Sequence, residues 1–185
     1  MRHYPFGKQL TTILMLTTAI LWGCGGSGAS GGHTGQQAET SADPATDIHT
    51  VIVQDDLDGL RRFLESGADL DKEDPFGGSS PLITAAIFGR TEMAELLIEA
   101  GADLNFQNND GSTALISAAF FGHPEIVQLL LNAGADRTIK NKYGATAFDV
   151  VAAPFSEVKG TYDLMGQLLA PMGLQLDYAH LEAVR

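Results

Sequence analysis

The chain has 185 residues, 44% of them apolar, enough for one domain of ordinary size behind an export segment and too few for two enzyme domains. Lys and Arg number 11 against 23 Asp and Glu, a net charge of −12; Arg2 and Lys8 are the only charged Lys, Arg, Asp or Glu ahead of Cys24, so the remainder is more acidic still. That surface repels a phosphate backbone, which disfavours nucleic acid as a partner, and suits a basic protein. The single cysteine, Cys24, excludes an intramolecular disulfide and a cysteine-based zinc site.

The first elements form an address. Arg2, His3 and Lys8 make a charged start, followed by a mildly apolar run from Leu10 to Trp22. A membrane-spanning helix needs about 20 apolar residues. The run is shorter than that, so residues 1–23 are expected to be a signal peptide. Leu21, Trp22, Gly23 and Cys24 resemble the bacterial lipobox, in which the cysteine is lipidated; Trp22 stands where a small residue is usual. This resemblance implies lipidation at Cys24, and Gly25 rather than Asp after it implies an outer-membrane lipoprotein facing the periplasm of a bacterial cell envelope. The alternative is a secreted or periplasmic soluble protein cut near Ser27, Gly28 and Ala29. Residues 24–45 read as the lipidated cysteine and a flexible Gly/Ser-rich linker. Within it, Gly26 to Gly31 match a dinucleotide-binding pattern and Gly28 to Gly32 a nucleophile elbow. Neither is preceded by a strand or followed by a helix, so both are linker composition.

From about residue 46 the sequence repeats. Gly-Ala-Asp recurs at Gly67, Gly101 and Gly134, and the first interval is longer than the second by one. Each copy ends an apolar run: Leu60 to Leu64, Ala94 to Ile98, Val127 to Leu131. A shorter run comes earlier in each unit: Ile48 to Ile52, Leu82 to Ala86, Leu115 to Ala119. The turns between the runs hold Asp55 and Asp56, Gly89 and Arg90, Gly122 and His123. A fourth start, Gly144 to Phe148, follows in the same period.

Two short helices in a period of about 33 residues resemble the ankyrin repeat family. The third unit carries the pattern best, in Asn108 to Leu115, Ala118, Ala119, Gly122, His123, Ile126, Val127, Leu129 to Leu131 and Gly134 to Asp136. The second has Gly78 to Leu82 and one extra hairpin residue, which accounts for the longer first interval. The resemblance implies an all-α solenoid of helix-turn-helix units with β-hairpin loops, about four units including atypical caps. The units are expected at 46–76, 77–109, 110–142 and 143–153, with a modified C-terminal cap at 154–185.

The residues supply the physics of such a solenoid. Helices of about 8 to 10 residues cannot hold alone. Ala85, Ala86, Ala118 and Ala119 keep the inner helices thin, while Leu96, Leu97, Leu129 and Leu130 fill the space between units. Ser80 and Thr113 stand where a hydroxyl caps the inner helix. Arg61, Arg62 and Glu65 dress the outer helix of the first unit, which reads as a cap. In the fourth unit, Phe148 to Ala153 form an inner helix stopped by Pro154. The next terminal glycine after Gly134 is Gly173, later than the period places it, which marks an insertion. An outer helix is expected at Tyr162 to Ala170, with Leu174, Leu176, Leu181 and Val184 folding back. The competing reading of residues 154–185 is a partner-binding hook.

Ankyrin proteins bind partners through hairpin tips and the concave inner-helix face, so the resemblance implies a protein-protein interaction module. The candidate contacts before the turns are Ile87, Phe88, Phe120 and Phe121, with Phe76 and Tyr143 at the hairpin edge. Aromatics in a cleft make interface hot spots; alternatively Phe88 and Phe121 lie sideways and pack on the next unit. No catalytic constellation emerges: His49 and His123 occupy repeat positions, no two histidines have metal-ligand spacing, and the acids of 55–56 and 71–74 lack a Ca²⁺-loop ladder. The expectation is therefore a non-enzymatic monomer without cofactor or metal, attached to a membrane only through the lipid. An inhibitor or immunity protein masking a basic envelope-acting enzyme is the alternative, and an unrecognised enzyme site within 154–185 the remotest.

Overall fold

The computed structural model describes residues 47–183, and the expected lipidation at Cys24, the expected signal peptide and linker, and Val184 of the expected C-terminal element lie outside them. Among the described residues every regular element is helical. Three complete pairs come first: α1 (Ile48–Val53) and α2 (Leu57–Glu65), α3 (Pro81–Phe88) and α4 (Thr91–Glu99), α5 (Ala114–Phe121) and α6 (Pro124–Asn132). The inner helix α7 (Ala147–Ala152) follows, then α8 (Phe155–Leu169), a 3-10 turn (Ala170–Met172) and α9 (Tyr178–Ala183). Inner helices stack on inner helices, α1 on α3, α3 on α5 and α5 on α7, while α4 lies beside α2 and α6.

The local signals act as their chemistry requires. Ser80 Oγ accepts from Ile83 N at 3.4 Å and Thr113 Oγ1 from Ile116 N at 3.3 Å. Thr146 and Asp149 close a reciprocal capping box on α7. Each connecting loop is a turn rather than a paired strand. Asp74 N donates to Ser79 O at 2.9 Å, Asn108 N to Ser112 O at 3.1 Å, and Asn141 N to Ala145 O at 3.0 Å. The first closure is longer than the other two by one position, which places the extra residue of the second unit in that turn. Successive turns are joined through Asn109 N to Gly77 O and Lys142 N to Asp110 O, both 2.9 Å.

One core runs through the units. Ile52, Leu60, Leu82, Leu97, Leu115, Ile126 and Leu130 are buried in it, and Ala85, Ala86 and Ala118 let the inner helices approach. Ala119 departs from its counterpart Ala86: it is only half-buried and lines a cleft of about 320 Å³ between α5, α6 and α7. The cleft exists because no described helix stacks on α6 as α6 stacks on α4. The sequence leads one to expect an outer helix there at Tyr162 to Ala170. The helix instead starts at Phe155, directly after Pro154, and runs 15 residues. It packs on the far ends of the inner helices, leaving Phe148 75% and Leu131 40% exposed.

Candidate protein-interaction site

Two edges of the solenoid carry the candidate residues. The first is formed by the C-terminal ends of the inner helices. At each unit a main-chain carbonyl near the end of the inner helix is met by a side chain from further along the chain. Arg90 Nη2 donates to Val53 O at 3.0 Å, and His123 Nε2 lies 3.3 Å from Ile87 O. The third carbonyl, Phe120 O, accepts from the Tyr162 hydroxyl of α8, and His180 Nε2 of α9 lies 2.7 Å from Gly122 O. Burial and the nearby His180 hold the His123 imidazole below its ordinary pKa, against the Ile87 carbonyl and Glu125, which act the other way.

Along the same edge Phe88 and Phe121 are buried together with Leu174, flanked by Ile87, Phe120, Met165, Leu169 and Leu176. Phe120 meets Phe121 edge-on at 5.1 Å and stacks on Tyr162 at 4.7 Å with an interplanar angle of 24°. Phe155 stacks on the Tyr162 ring at 5.8 Å. The structure thus brings Ile87, Phe88, Phe120 and Phe121 into one apolar row, and the chain's own C-terminal segment lies over it. Aromatics at the helix ends are legible in the sequence; their cover is not, because it depends on where Pro154 redirects the chain. The aromatic run Phe155, Tyr162 and Tyr178 is the signal that matches it.

The second edge is the row of turns. Phe76 is 81% and Tyr143 50% exposed. The turns beneath them are closed by side-chain hydrogen bonds to the backbone. Asp74 is partly desolvated, but its carboxylate accepts from the backbone N–H groups of Gly77, Phe76 and Ser79, which together hold its pKa below the usual carboxylate value. Asn108 and Asn141 repeat the device by accepting from two N–H groups each. Partial burial, with the Asp110 charge, raises the Tyr143 phenol. The length of an inner helix separates this edge from the Phe row, about 12 Å at about 1.5 Å per residue. Phe76 and Tyr143, on the first and third turns of the row, therefore lie apart from Phe88, Phe120 and Phe121.

The other candidates occupy repeat positions. His49 is buried, with Nε2 2.8 Å from Lys72 O and Nδ1 2.9 Å from Thr84 Oγ1. Asp69, Asp103 and Asp136 each accept from the backbone N–H two residues on. Among the described residues no group of three His, Cys, Asp or Glu side chains converges as metal ligands require, and no helix is long and apolar enough to cross a membrane.

A family model of ankyrin repeats, in three copies, matches residues 48–141. The chain belongs to the ankyrin repeat family. Among curated proteins it is similar to the human DNA-binding protein RFXANK, 41% identical over 69 residues, 35% of this chain and 26% of that protein. It is also similar to inversin of Gallus gallus, 37% identical over 62 residues, 33% of this chain and 6% of that protein. Among solved structures, the ankyrin repeat domain of Bcl-3 matches with a TM-score of 0.54 and 36% identity, covering 56% of this chain and 45% of that one. The chain thus spans less than half the length of each of these relatives. What they share with it is the ankyrin scaffold, which implies a protein-protein interaction module.

Proposed function

We propose that this ankyrin repeat chain is a non-enzymatic interaction module, tethered to a bacterial envelope membrane through Cys24, that binds a basic protein along its row of turns. The observation that carries the reading is that row: Phe76 and Tyr143 project into solvent from turns whose backbone is fixed by Asp74 and Asn141. Rigid aromatics on fixed turns lose little freedom on binding, which makes them effective contacts. The net charge of −12 favours a basic partner and disfavours nucleic acid. Leu21 to Cys24, directly after the apolar run, support lipidation, and Gly25 supports outer-membrane sorting toward the periplasm.

Photo-crosslinking amino acids placed at Tyr143 and Phe76, and at exposed Leu168 as a control, test the binding face in cells. A crosslinked protein that appears at the turn positions and not at the control supports it. Equal yields from all three positions refute it. Adding the purified domain to the partner then shows whether binding inhibits the partner, as an immunity protein would, or leaves its activity intact. Cys24→Ser tests the tether: it should leave the membrane fraction, and unchanged partition would refute lipidation while leaving the binding face standing.

A further inference from the structure

Residues 155–183 occupy an edge that a regular repeat array would leave to the next unit. Arg90 and His123 each answer the carbonyl of the preceding unit from the turn between inner and outer helix. After α7 there is no such turn, because α7 ends against Pro154. Tyr162 reaches the equivalent carbonyl of Phe120 from a position further along the chain than one repeat beyond His123. The segment therefore reproduces a repeat contact with a separate, tethered helix.

That helix holds the edge by side chains on one face. Tyr162, Met165 and Leu169, spaced i, i+3 and i+7, share one face: Tyr162 stacks on Phe120, and Met165 and Leu169, with Leu176, flank the buried cluster of Phe88, Phe121 and Leu174. A second apolar surface lies open in the same molecule. The cleft of about 320 Å³ beside α6 is lined by Val127, Leu131, Phe148 and Val151. Residues 162–173 keep the register of the outer helix that would fill it, including its terminal glycine: φ is 90° at Gly173, 90° at Gly101 and 93° at Gly134. Release from the edge would break the Tyr162 contacts with Phe120, but the cleft would offer the apolar face of α8 a second apolar surface, which would make local opening less costly than global unfolding.

We propose that the row of Phe88, Phe120 and Phe121 is a receptor for an amphipathic helix presenting a tyrosine and two aliphatic side chains at i, i+3 and i+7, and that residues 155–183 are its exchangeable resident occupant. The recognition is of the helix-in-groove kind. The tyrosine supplies a ring for Phe120 and a hydroxyl for its carbonyl; the aliphatic pair packs on the Phe88–Phe121 cluster, where Leu174 of the resident segment also sits. A tethered segment competes at an effective concentration of order millimolar. A partner helix gains access only when its own affinity, or its local concentration, exceeds that competition. This site is distinct from the row of turns and stands or falls separately from it.

Hydrogen exchange on the unaltered full chain and binding of a synthetic peptide of residues 155–183 test the proposal. The amides of α8 should exchange at least about 100-fold faster than those of α3 and α5, through local opening. The peptide should bind the full chain carrying Tyr162→Ala and Leu174→Ser at least about tenfold more tightly than it binds the unaltered chain, whose own segment competes. The same peptide with Tyr162→Ala should lose that binding, and Tyr143→Ser in the protein should not affect it. Protection of α8 equal to that of α5 would overturn the proposal. So would a folded double variant with unchanged peptide affinity, or peptide binding that depends on Tyr143. A double variant whose repeats no longer melt cooperatively would make the segment a permanent part of the core, which also overturns it.

Discussion

Leu129, Leu130 and Leu131 stand side by side at the end of α6, and truncating each to alanine should give three different costs. Leu130 is fully buried in the main core; Leu129 is half-buried; Leu131 is 40% exposed on the rim of the α6–α7 cleft. Leucine to alanine removes three carbons, about 2.4 kcal/mol of transfer free energy at about 0.8 kcal/mol each. At Leu130 the packed surroundings add a cavity cost, so about 3–4 kcal/mol is expected. Leu129 keeps part of its surface in water before the change and should lose about 1 kcal/mol, and Leu131 less than about 1 kcal/mol. The third unit lies between two others, so its loss weakens interfaces on both sides and should lower the whole transition rather than split it. Urea titration at about 25 °C, followed by helical circular dichroism, reads this as a shift in midpoint at constant slope. Equal losses for all three leucines would refute the register. A Leu131 cost matching that of Leu130 would show the cleft filled in solution and refute the placement of α8.

Further perturbations test the turns and the titrating groups. Asp74 accepts from Phe76 N and Gly77 N at Oδ1 and from Ser79 N at Oδ2, so Asp74→Asn keeps one accepting oxygen but sets an amide NH2 against Ser79 N–H and should cost about 1 kcal/mol, whereas Asp74→Ala strands all three N–H groups and should cost about 2–3 kcal/mol; thermal melts separate the two. Asp55 takes the left-handed φ of 62° where the next units use Gly89 and Gly122, so Asp55→Gly should raise stability by up to about 1 kcal/mol despite losing its exposed pair with Arg90. The same denaturation assay checks this, and a destabilised variant contradicts it. His123 has a folded-state pKa below its unfolded value of 6.5, so the folded chain resists protonation. Its contribution is fully present above pH 6.5 and is lost as pH falls through 6.5 toward the folded value. Melting temperatures should therefore fall between about pH 7.5 and about pH 5.5, and His123→Gln should flatten that fall.

Much of this molecule can be read from residue order alone because ankyrin physics is local. The repeat period, the hydroxyl caps at Ser80 and Thr113 and the thin faces at Ala85, Ala86 and Ala118 each depend on neighbours within one unit or the next. The extra residue before Ser80 is likewise visible as a longer interval between Gly67 and Gly101 and resides in the turn closed by Asp74 and Ser79. The candidate aromatics are legible as a set, and so is the insertion before Gly173.

What the residue order leaves open is every contact between parts of the chain that are not neighbouring repeats. Residues 162–173 match the outer-helix register, and an outer helix on α6 is the natural expectation from periodicity. The chain turns elsewhere because Pro154 ends α7 and α8 starts immediately, carrying Tyr162 to the Phe120 carbonyl and Leu174 onto Phe88 and Phe121. Periodicity records which face of a helix is apolar but not which of two apolar surfaces will receive it. The path of the chain after Pro154 and the bonds of Tyr162 to Phe120 O and of His180 to Gly122 O place the segment on the Phe row. Only the tertiary structure decides which surface that is, and with it which candidate aromatics face solvent and which face the chain's own C-terminal segment.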